Sequence, residues 1–265
     1  MTALTMGIVN VTPDSFSDGG RYLDAQAAIA HGLALRDAGA AYVDVGGEST
    51  RPGAPRVAPA EERDRVLPVV TALATAGVAV SIDTMNAATA VAAVEAGAVL
   101  VNDVSGGLAD AGMLDAVAET GADIALGHWR GPSRDMYAGA EYADVAREVA
   151  AELRVRVDAA AAAGIPPSRV VVDPGIGFGK TGAHNWVLLR DLATITALGH
   201  RVLVGTSRKR FLGEVLGEDA TPARRDLATA VTSALASRAG AWGVRVHDVA
   251  ATRDALAVER AWQEG

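Results

Sequence analysis

The chain has 265 residues, a formal net charge of −8 and no cysteine. The negative charge argues against a general binder of nucleic acid or of an anionic membrane. The lack of cysteine excludes disulfides and thiolate chemistry and fits a cytoplasmic protein, and no basic segment precedes an apolar run at the N-terminus as in a secretory signal.

Short apolar runs typical of buried strands alternate with alanine-rich helical patterns. The eight runs are residues 4–9, 42–45, 78–82, 99–101, 123–126, 170–172, 201–204 and 242–246. The helical patterns cover residues 25–38, 60–76, 87–96, 113–120, 142–163, 186–197, 225–238 and about 250–262. Pro68 lies inside the second pattern and predicts a kinked or shortened helix there.

This alternation predicts one (β/α)8 TIM-barrel domain over residues 1–265, because such barrels contain eight strand–helix units in roughly 250 residues. A doubly wound open sheet is the competing architecture. No G-x-G-x-x-G motif opens a helix after the first strand, which weakens a dinucleotide-binding version of that sheet.

Polar residues follow every predicted strand at its C-terminal end. In chain order they are Asn10, the segment 46–53, Asp83, Asn102 with Asp103, His128, Asp173, the segment 207–209, and Arg245 with His247. A turn or a helix N-cap would explain any one of them, but eight together are poorly explained by chance. Barrel enzymes work at this rim, so we expect the active site there.

One group of rim residues suits a flat heterocycle. The carboxylates of Asp83 and Asp173 and the amide of Asn102 could accept and donate hydrogen bonds along an amino-amidine edge. For Asp83 and Asn102, helix N-capping remains an open alternative because both precede predicted helices.

A second group suits an anion. Arg51, Arg245 and His247 are cationic or can become so, and Asn10 could bind a metal through its amide oxygen. A diphosphate with Mg²⁺ fits this set, whereas solvated surface charge is the alternative for an isolated arginine. Arg51 lies in a loop flanked by Gly and Pro, which favours a functional loop.

The segment 173–180, with sequence DPGIGFGK, has three glycines that let the backbone approach a ligand closely. It is not a Walker A loop, because Pro174 stands where that motif needs its first glycine. Phe178 is either an anchor of this loop or an aromatic wall for a flat substrate. The chain's only lysines are Lys180 and Lys209 among many arginines, which hints that arginine would not serve at those positions.

Seven strings carry a resemblance to a known family. They are MGIVNVTPDSFSDGG, DVGGESTRPGA, SIDT, NDVSGG, DPGIGFGKT, GTSRK and VRVHDV, in this order along nearly the whole chain. Together they closely resemble the dihydropteroate synthases, the sulfonamide targets of folate biosynthesis. The resemblance implies a TIM barrel, usually a homodimer. It also implies that the enzyme joins 6-hydroxymethyl-7,8-dihydropterin diphosphate to 4-aminobenzoate with Mg²⁺, giving 7,8-dihydropteroate and diphosphate.

The resemblance also implies roles for individual residues. The pterin would be held by Asp83, Asn102, Asp173 and Lys209, and the diphosphate by Asn10 through Mg²⁺ and by Arg51, Arg245 and His247. The aminobenzoate would be framed by Thr50, Pro52, Phe178 and Lys209. Asp18 would order the site or stabilise developing positive charge, and the loops 11–22 and 47–57 would close over the reacting centre and exclude water.

Two positions depart from the family's common pattern. Gly127 stands where a methionine often packs near the pterin, so we expect a gap there and weaker pterin packing. Arg210 stands where many members have a serine near the aminobenzoate carboxylate, and arginine could still bind that anion. His128 is expected to be structural or to line the pocket.

Two other functions remain as alternatives. A pterin-binding methyltransferase domain that works with a corrinoid partner shares the barrel, but it would not need the Thr-Arg-Pro-Gly loop or the Ser-Arg-Lys segment. A paralogue that binds pterin without catalysis should have eroded loops, and both of these segments are intact here.

Overall fold

The eight apolar runs form the strands of a closed parallel barrel. A computed structural model of the chain describes residues 2–12, 20–49, 56–131, 140–217 and 219–265. The strands are β1 Leu4–Asn10, β2 Tyr42–Gly46, β3 Val80–Asp83, β4 Ala98–Asp103, β5 Asp123–Gly127, β6 Val170–Asp173, β7 Arg201–Val204 and β8 Gly243–Val246. Each pairs with the next in the sequence, and β1 pairs with β8 to close the ring. The TIM-barrel prediction is confirmed, and the open-sheet alternative is wrong.

Helices connect the strands on the outside of the barrel. They are α1 Gly20–Asp37, α2 Pro59–Thr75, α3 Ala87–Glu95, α4 Met113–Ala118, α5 Val145–Ala162, a short 3₁₀ helix Pro167–Arg169, α6 Gly182–Arg190, α7 Ala193–Thr196, α8 Arg210–Leu216, α9 Pro222–Arg238 and α10 Val249–Glu264. None of them, over the part of the chain described, is long and apolar enough to cross a membrane.

The helices differ from the predictions in three places. The pattern 186–197 forms two helices, α6 and α7, and α8 was not predicted. The expected shortening at Pro68 is wrong, because α2 continues through it to Thr75. Pro68 lacks an N–H donor, but Val66, Val69 and Val70 around it are fully buried, so packing of the helix offsets the lost hydrogen bond.

The core has two layers. Aliphatic side chains between the strands and the helices form the larger one. A smaller cluster, formed by Met6, Leu100, Ala125, Val171 and Leu203, fills the inside of the barrel, with Tyr42 and Trp242 packed against it. These seven side chains form an apolar floor, and the residues that follow on the same face of each strand line the space above it.

Candidate active site

The period of two along a strand places polar side chains above the apolar floor. Asn102 lies two residues after Leu100 and Asp173 two residues after Val171, so each points into the barrel as its predecessor does. Asp44 has the same relation to Tyr42. The strand sequences thus change from apolar to polar at the depth where the barrel opens.

Arg245 joins the acidic residues of the site. Its Nε lies 2.5 Å from Asp44 Oδ2, and its Nη2 lies 2.6 Å from Asp83 Oδ2. The side-chain amide of Asn102 donates to the same Asp44 oxygen at 3.1 Å. The other oxygen of Asp44 is buried and has no hydrogen-bond partner among the described residues. One guanidinium therefore holds β2, β3 and β8 together at the rim.

Burial shifts the pKa values of these groups. It raises the pKa of Asp83 to about 7, because the attraction of Arg245 offsets the loss of solvation only in part and the neighbouring Asp44 adds repulsion. The pKa of Arg245 is raised by the two carboxylates despite its burial, so the guanidinium stays charged. Around neutral pH the proton on Asp83 is therefore easily gained or lost.

Lys209 lies against the loop between β6 and α6. Its Nζ donates to the carbonyl of Ile176 and lies 4.5 Å from the centre of the Phe178 ring. Gly177, at a φ of +83°, allows this approach, since a Cβ there would lie 2.8 Å from Lys209 Cδ. Burial lowers the pKa of Lys209 to about 8, opposed chiefly by Asp173. Lys209 therefore connects this loop to the acidic residues.

Asp173 is also tied to the β6–α6 loop. Its Oδ1 accepts a hydrogen bond from the backbone N–H of Gly175 at 2.7 Å. Burial raises the pKa of Asp173, and the charge of Lys209 is the main effect that opposes the rise. The second carboxylate oxygen is available to a ligand edge.

A strained turn presents Lys209. Arg208 has a φ of +57°, the one non-glycine residue with a positive φ in the part of the chain described. Its guanidinium is paired with both oxygens of Asp226, at 2.7 and 2.8 Å. This bidentate pair holds the turn from α9, and so holds Lys209 over the pocket.

His247 is oriented by Ser207. The Ser207 hydroxyl accepts from the backbone N–H of His247 at 3.1 Å and lies 2.8 Å from its Nδ1. These two contacts fix the orientation of the imidazole ring.

A second buried cation lies beneath the β6–α6 loop. Lys180 Nζ contacts the carbonyls of Gly175 and Phe178, both at 3.0 Å, and His128 Nδ1 at 2.9 Å. His128 Nε2 lies 2.9 Å from Glu152 on α5. The expectation that His128 is structural agrees with these contacts.

The structure changes several readings of the sequence. Asp83 and Asn102 do not cap helices, because Asn86 and Gly112 occupy the N-cap positions of α3 and α4. The expected gap at Gly127 is wrong, since a Cβ there would lie 2.6 Å from Val104 Cα and backbone fills the space. Pterin packing at this position has not been tested.

Some predicted residues are placed away from the pocket or cannot be placed. Arg210 is three-quarters exposed and pairs with Glu214 at 3.5 Å. Asp18, Thr50, Arg51 and Pro52 lie outside the described residues, as does most of the two predicted closing loops.

Sequence reasoning missed Asp44, Glu152 and the contacts of Lys180. Asp44 could have been found, because it is a charged residue inside an otherwise apolar run. Glu152 gave no such signal, since a glutamate on a helix usually faces solvent.

Comparisons with known proteins agree with this site. The family described as pterin binding enzyme matches residues 6–247. The dihydropteroate synthase of Mycobacterium leprae is 55% identical over 262 residues, covering 97% of this chain and 92% of the relative. The structure of Xanthomonas albilineans dihydropteroate synthase with 4-aminobenzoic acid has a TM-score of 0.93 at 46% identity and covers 100% of this chain and 94% of that one. The complex of that synthase with 7,8-dihydropteroate has a TM-score of 0.89 at 43% identity, with 100% and 95% coverage.

Proposed function

The chain belongs to the family of pterin binding enzymes, and we propose that it catalyses dihydropteroate synthesis. The reaction joins 6-hydroxymethyl-7,8-dihydropterin diphosphate to 4-aminobenzoate and releases diphosphate. The observation that carries the proposal is the convergence of Asp83, Asn102, Asp173, Lys209 and Arg245 on one pocket above the apolar floor.

Asp83, Asn102 and Asp173 bind the pterin in this proposal, together with Lys209. The free oxygen of Asp173 accepts from the amino-amidine edge, and the Asn102 amide reads a neighbouring ring position. Arg245 is already held by two carboxylates, so its guanidinium keeps a fixed place beside the ring. The ligand meets preorganised groups and causes little rearrangement.

Arg245 and His247 bind the diphosphate, and Arg51 joins them from the loop that follows β2. Ser207 holds the imidazole of His247 in place through contacts with its Nδ1 and its backbone N–H. Cationic donors at the leaving group stabilise the charge that develops as the C–O bond breaks. The electron pair of that bond leaves with the diphosphate.

Asn10 is the residue proposed to bind Mg²⁺. It ends β1 at the rim, and an amide oxygen is a ligand type that Mg²⁺ accepts. Among the described residues, no group of three His, Asp or Glu side chains could bind a metal unaided. Asn10 would hold Mg²⁺ through its amide oxygen, and the cation would supply charge neutralisation at the leaving group.

The remaining step needs no protein nucleophile. Loss of diphosphate leaves a carbocation on the methylene carbon, which the electron-rich dihydropterin ring delocalises. The amine of 4-aminobenzoate then forms the C–N bond with its lone pair and loses a proton. Phe178 and Lys209 frame this substrate with Thr50 and Pro52, while Asp18 orders the site or stabilises the positive charge.

The test is diphosphate release from the dihydropterin diphosphate with Mg²⁺, measured with and without 4-aminobenzoate. We expect release that depends on aminobenzoate and yields dihydropteroate, and that stops when the metal is chelated. Pterin binding without turnover would instead support the non-catalytic paralogue. Methyl transfer with a corrinoid protein would support the methyltransferase alternative.

We also propose a homodimer formed through α9 and α10. Leu227, Val231 and Leu235 are spaced four apart on α9 and are 52–66% exposed, and Val258 and Trp262 on α10 are 70% and 80% exposed. Ser237 and Glu259 contact each other at 3.4 Å, which places the ends of the two apolar rows side by side. Such a patch on one face is typical of a subunit interface. Sedimentation of V231D/L235D should show a monomer where the unchanged chain is a dimer.

We propose that the protein works in the cytoplasm, because a chain without cysteine fits a reducing compartment in which disulfides are rare.

A further inference from the structure

Lys180 has no role in the proposed chemistry, yet it is among the most buried large side chains, at 2% exposure. It ends the glycine-rich segment that begins at Asp173. A lysine is almost never buried this completely without partners that satisfy it. Its contacts therefore indicate what it does.

The three contacts of Lys180 Nζ define protonation states. The carbonyl oxygens of Gly175 and Phe178 can only accept hydrogen bonds, and an ammonium has three N–H donors. The third donor is directed at His128 Nδ1, which must then accept. His128 consequently carries its proton on Nε2 and donates it to Glu152. All three donors of the ammonium are used.

The buried charge is balanced through this chain of contacts. The hydrogen bond from His128, followed by Arg130, lowers the pKa of Glu152 to about 2, so the carboxylate is ionised. Burial lowers the pKa of His128 to about 4 and keeps its imidazole neutral. Burial also lowers the pKa of Lys180 to about 7, with Asp173 opposing it. The imidazole thus connects the Lys180 amine beneath the β6–α6 loop to the Glu152 carboxylate on α5.

The two carbonyls that Lys180 binds determine the shape of the β6–α6 loop. They belong to Gly175 and Phe178, and between them lies Ile176, whose own carbonyl accepts from Lys209. Phe178 presents its ring to the same lysine. A shift of either carbonyl would move both contacts of Lys209 at once.

We propose that Lys180 is a positioning residue for the arylamine substrate, acting with His128 and Glu152 on the segment 175–178. This inference rests on the proposed function. Arginine could not replace Lys180, because a planar guanidinium cannot direct three donors from one nitrogen to three converging acceptors. The lysine is therefore retained at this position in an arginine-rich chain.

The test compares the KM values for the two substrates in K180M. We expect the KM for 4-aminobenzoate to rise at least tenfold. The KM for the dihydropterin diphosphate should rise several times less than that, because the pterin-binding Asp83 and Asn102 do not contact this loop, whereas Asp173 and Lys209 do. K180R should behave like K180M. Equal changes in both KM values, or a lower melting temperature with unchanged KM values, would overturn the proposal.

Glu152 offers a milder variant, and Glu148 gives a matched control. Both carboxylates pair with Arg130, at 2.5 and 2.8 Å, but only Glu152 contacts His128. E152Q should raise the KM for aminobenzoate severalfold, whereas E148Q should not. In the K180M background, E152Q should have no further effect. Equal effects of E152Q and E148Q on the KM for aminobenzoate would contradict the proposed role of the Lys180–His128–Glu152 contacts, even if K180M failed to fold.

Failure of this inference can be told apart from failure of the proposed function. If the unchanged enzyme does not make dihydropteroate, the proposed function is wrong. If it does, and the variants keep its KM for aminobenzoate, only the role of Lys180 is wrong.

Discussion

The two lysines of this chain contact the same loop and are held in different ways. Lys209 Nζ meets one carbonyl and the face of an aromatic ring, and its charge is balanced at a distance by Asp173. Lys180 Nζ meets three acceptors at 2.9–3.0 Å and has no donor left. The first has hydrogen-bonding capacity left for a ligand, whereas the second has none.

This difference separates groups that bind from groups that support. A group that binds must exchange its partners when the substrate arrives, so it is left incompletely paired at some cost in stability. A supporting group is fully paired, because any motion there would spread to the groups that bind. Glu152 is a supporting group of this kind, because it pairs with both His128 and Arg130.

Removal of Lys209 is the strongest test of this contrast. K209A should lower turnover by about 100-fold to 1,000-fold, since a preorganised cation beside the reacting centre is lost. The melting temperature should change little, because few partners are left unpaired. Steady-state kinetics and thermal unfolding of the same sample check both points. Turnover close to that of the unchanged enzyme would remove Lys209 from the site.

A substitution at Gly127 should have the opposite effect to K209A, lowering stability more than function. G127A forces a methyl group against the backbone of Val104. We expect a loss of about 2 kcal/mol in the free energy of unfolding, as for other overpacked sites. Denaturant titration measures this loss. Because the added methyl group meets backbone, G127A should lower the free energy of unfolding more than it lowers pterin affinity. A larger loss of pterin affinity than of stability would show that Gly127 belongs to the pocket.

Asp173 tests whether a binding carboxylate can be replaced without harm to the loop. D173N keeps an acceptor for the N–H of Gly175 but loses the charge. We expect pterin affinity to fall about tenfold to a hundredfold, as for a lost hydrogen bond to a charged group. Calorimetric titration with a pterin measures it, and unchanged affinity would refute the role of Asp173.

The pH dependence should come from the groups that bind. Asp83, with a pKa of about 7, accepts hydrogen bonds from a ligand more strongly once it is ionised, and Lys209, with a pKa of about 8, must keep its proton to remain a cation. Asp44, Asp173 and Arg245 also face these two groups. We expect kcat/KM to fall below about pH 7 and above about pH 8, by up to tenfold per pH unit. D83N should abolish the acid limb, and persistence of that limb would assign it to another group.

Much of the fold and of the site follows from sequence for a physical reason. Buried strands are mostly apolar, so a polar residue usually marks the end of each strand, and most of the predicted site residues lie at those ends. Helix α8 was not predicted, because it has only seven residues and contains Gly213. The break between α6 and α7 was not predicted, because neither glycine nor proline lies at it.

The contacts among the site residues could not be predicted. Asp44 and Arg245 are 201 positions apart, and only closure of the barrel brings them together. Likewise, His128 and Glu152 meet because α5 packs on the barrel next to β5. Spacing along a chain encodes local geometry, whereas such pairs depend on the packing of whole elements.

The unequal exposure of the two lysines has a consequence for covalent labelling. Apart from the α-amino group, the molecule offers amine-directed reagents only Lys209, since the amine of Lys180 is enclosed. Acylation of the lysine side chains would therefore report on one position, and substrate in the pocket would shield it. The extent of modification would measure occupancy of the pocket without any engineered probe.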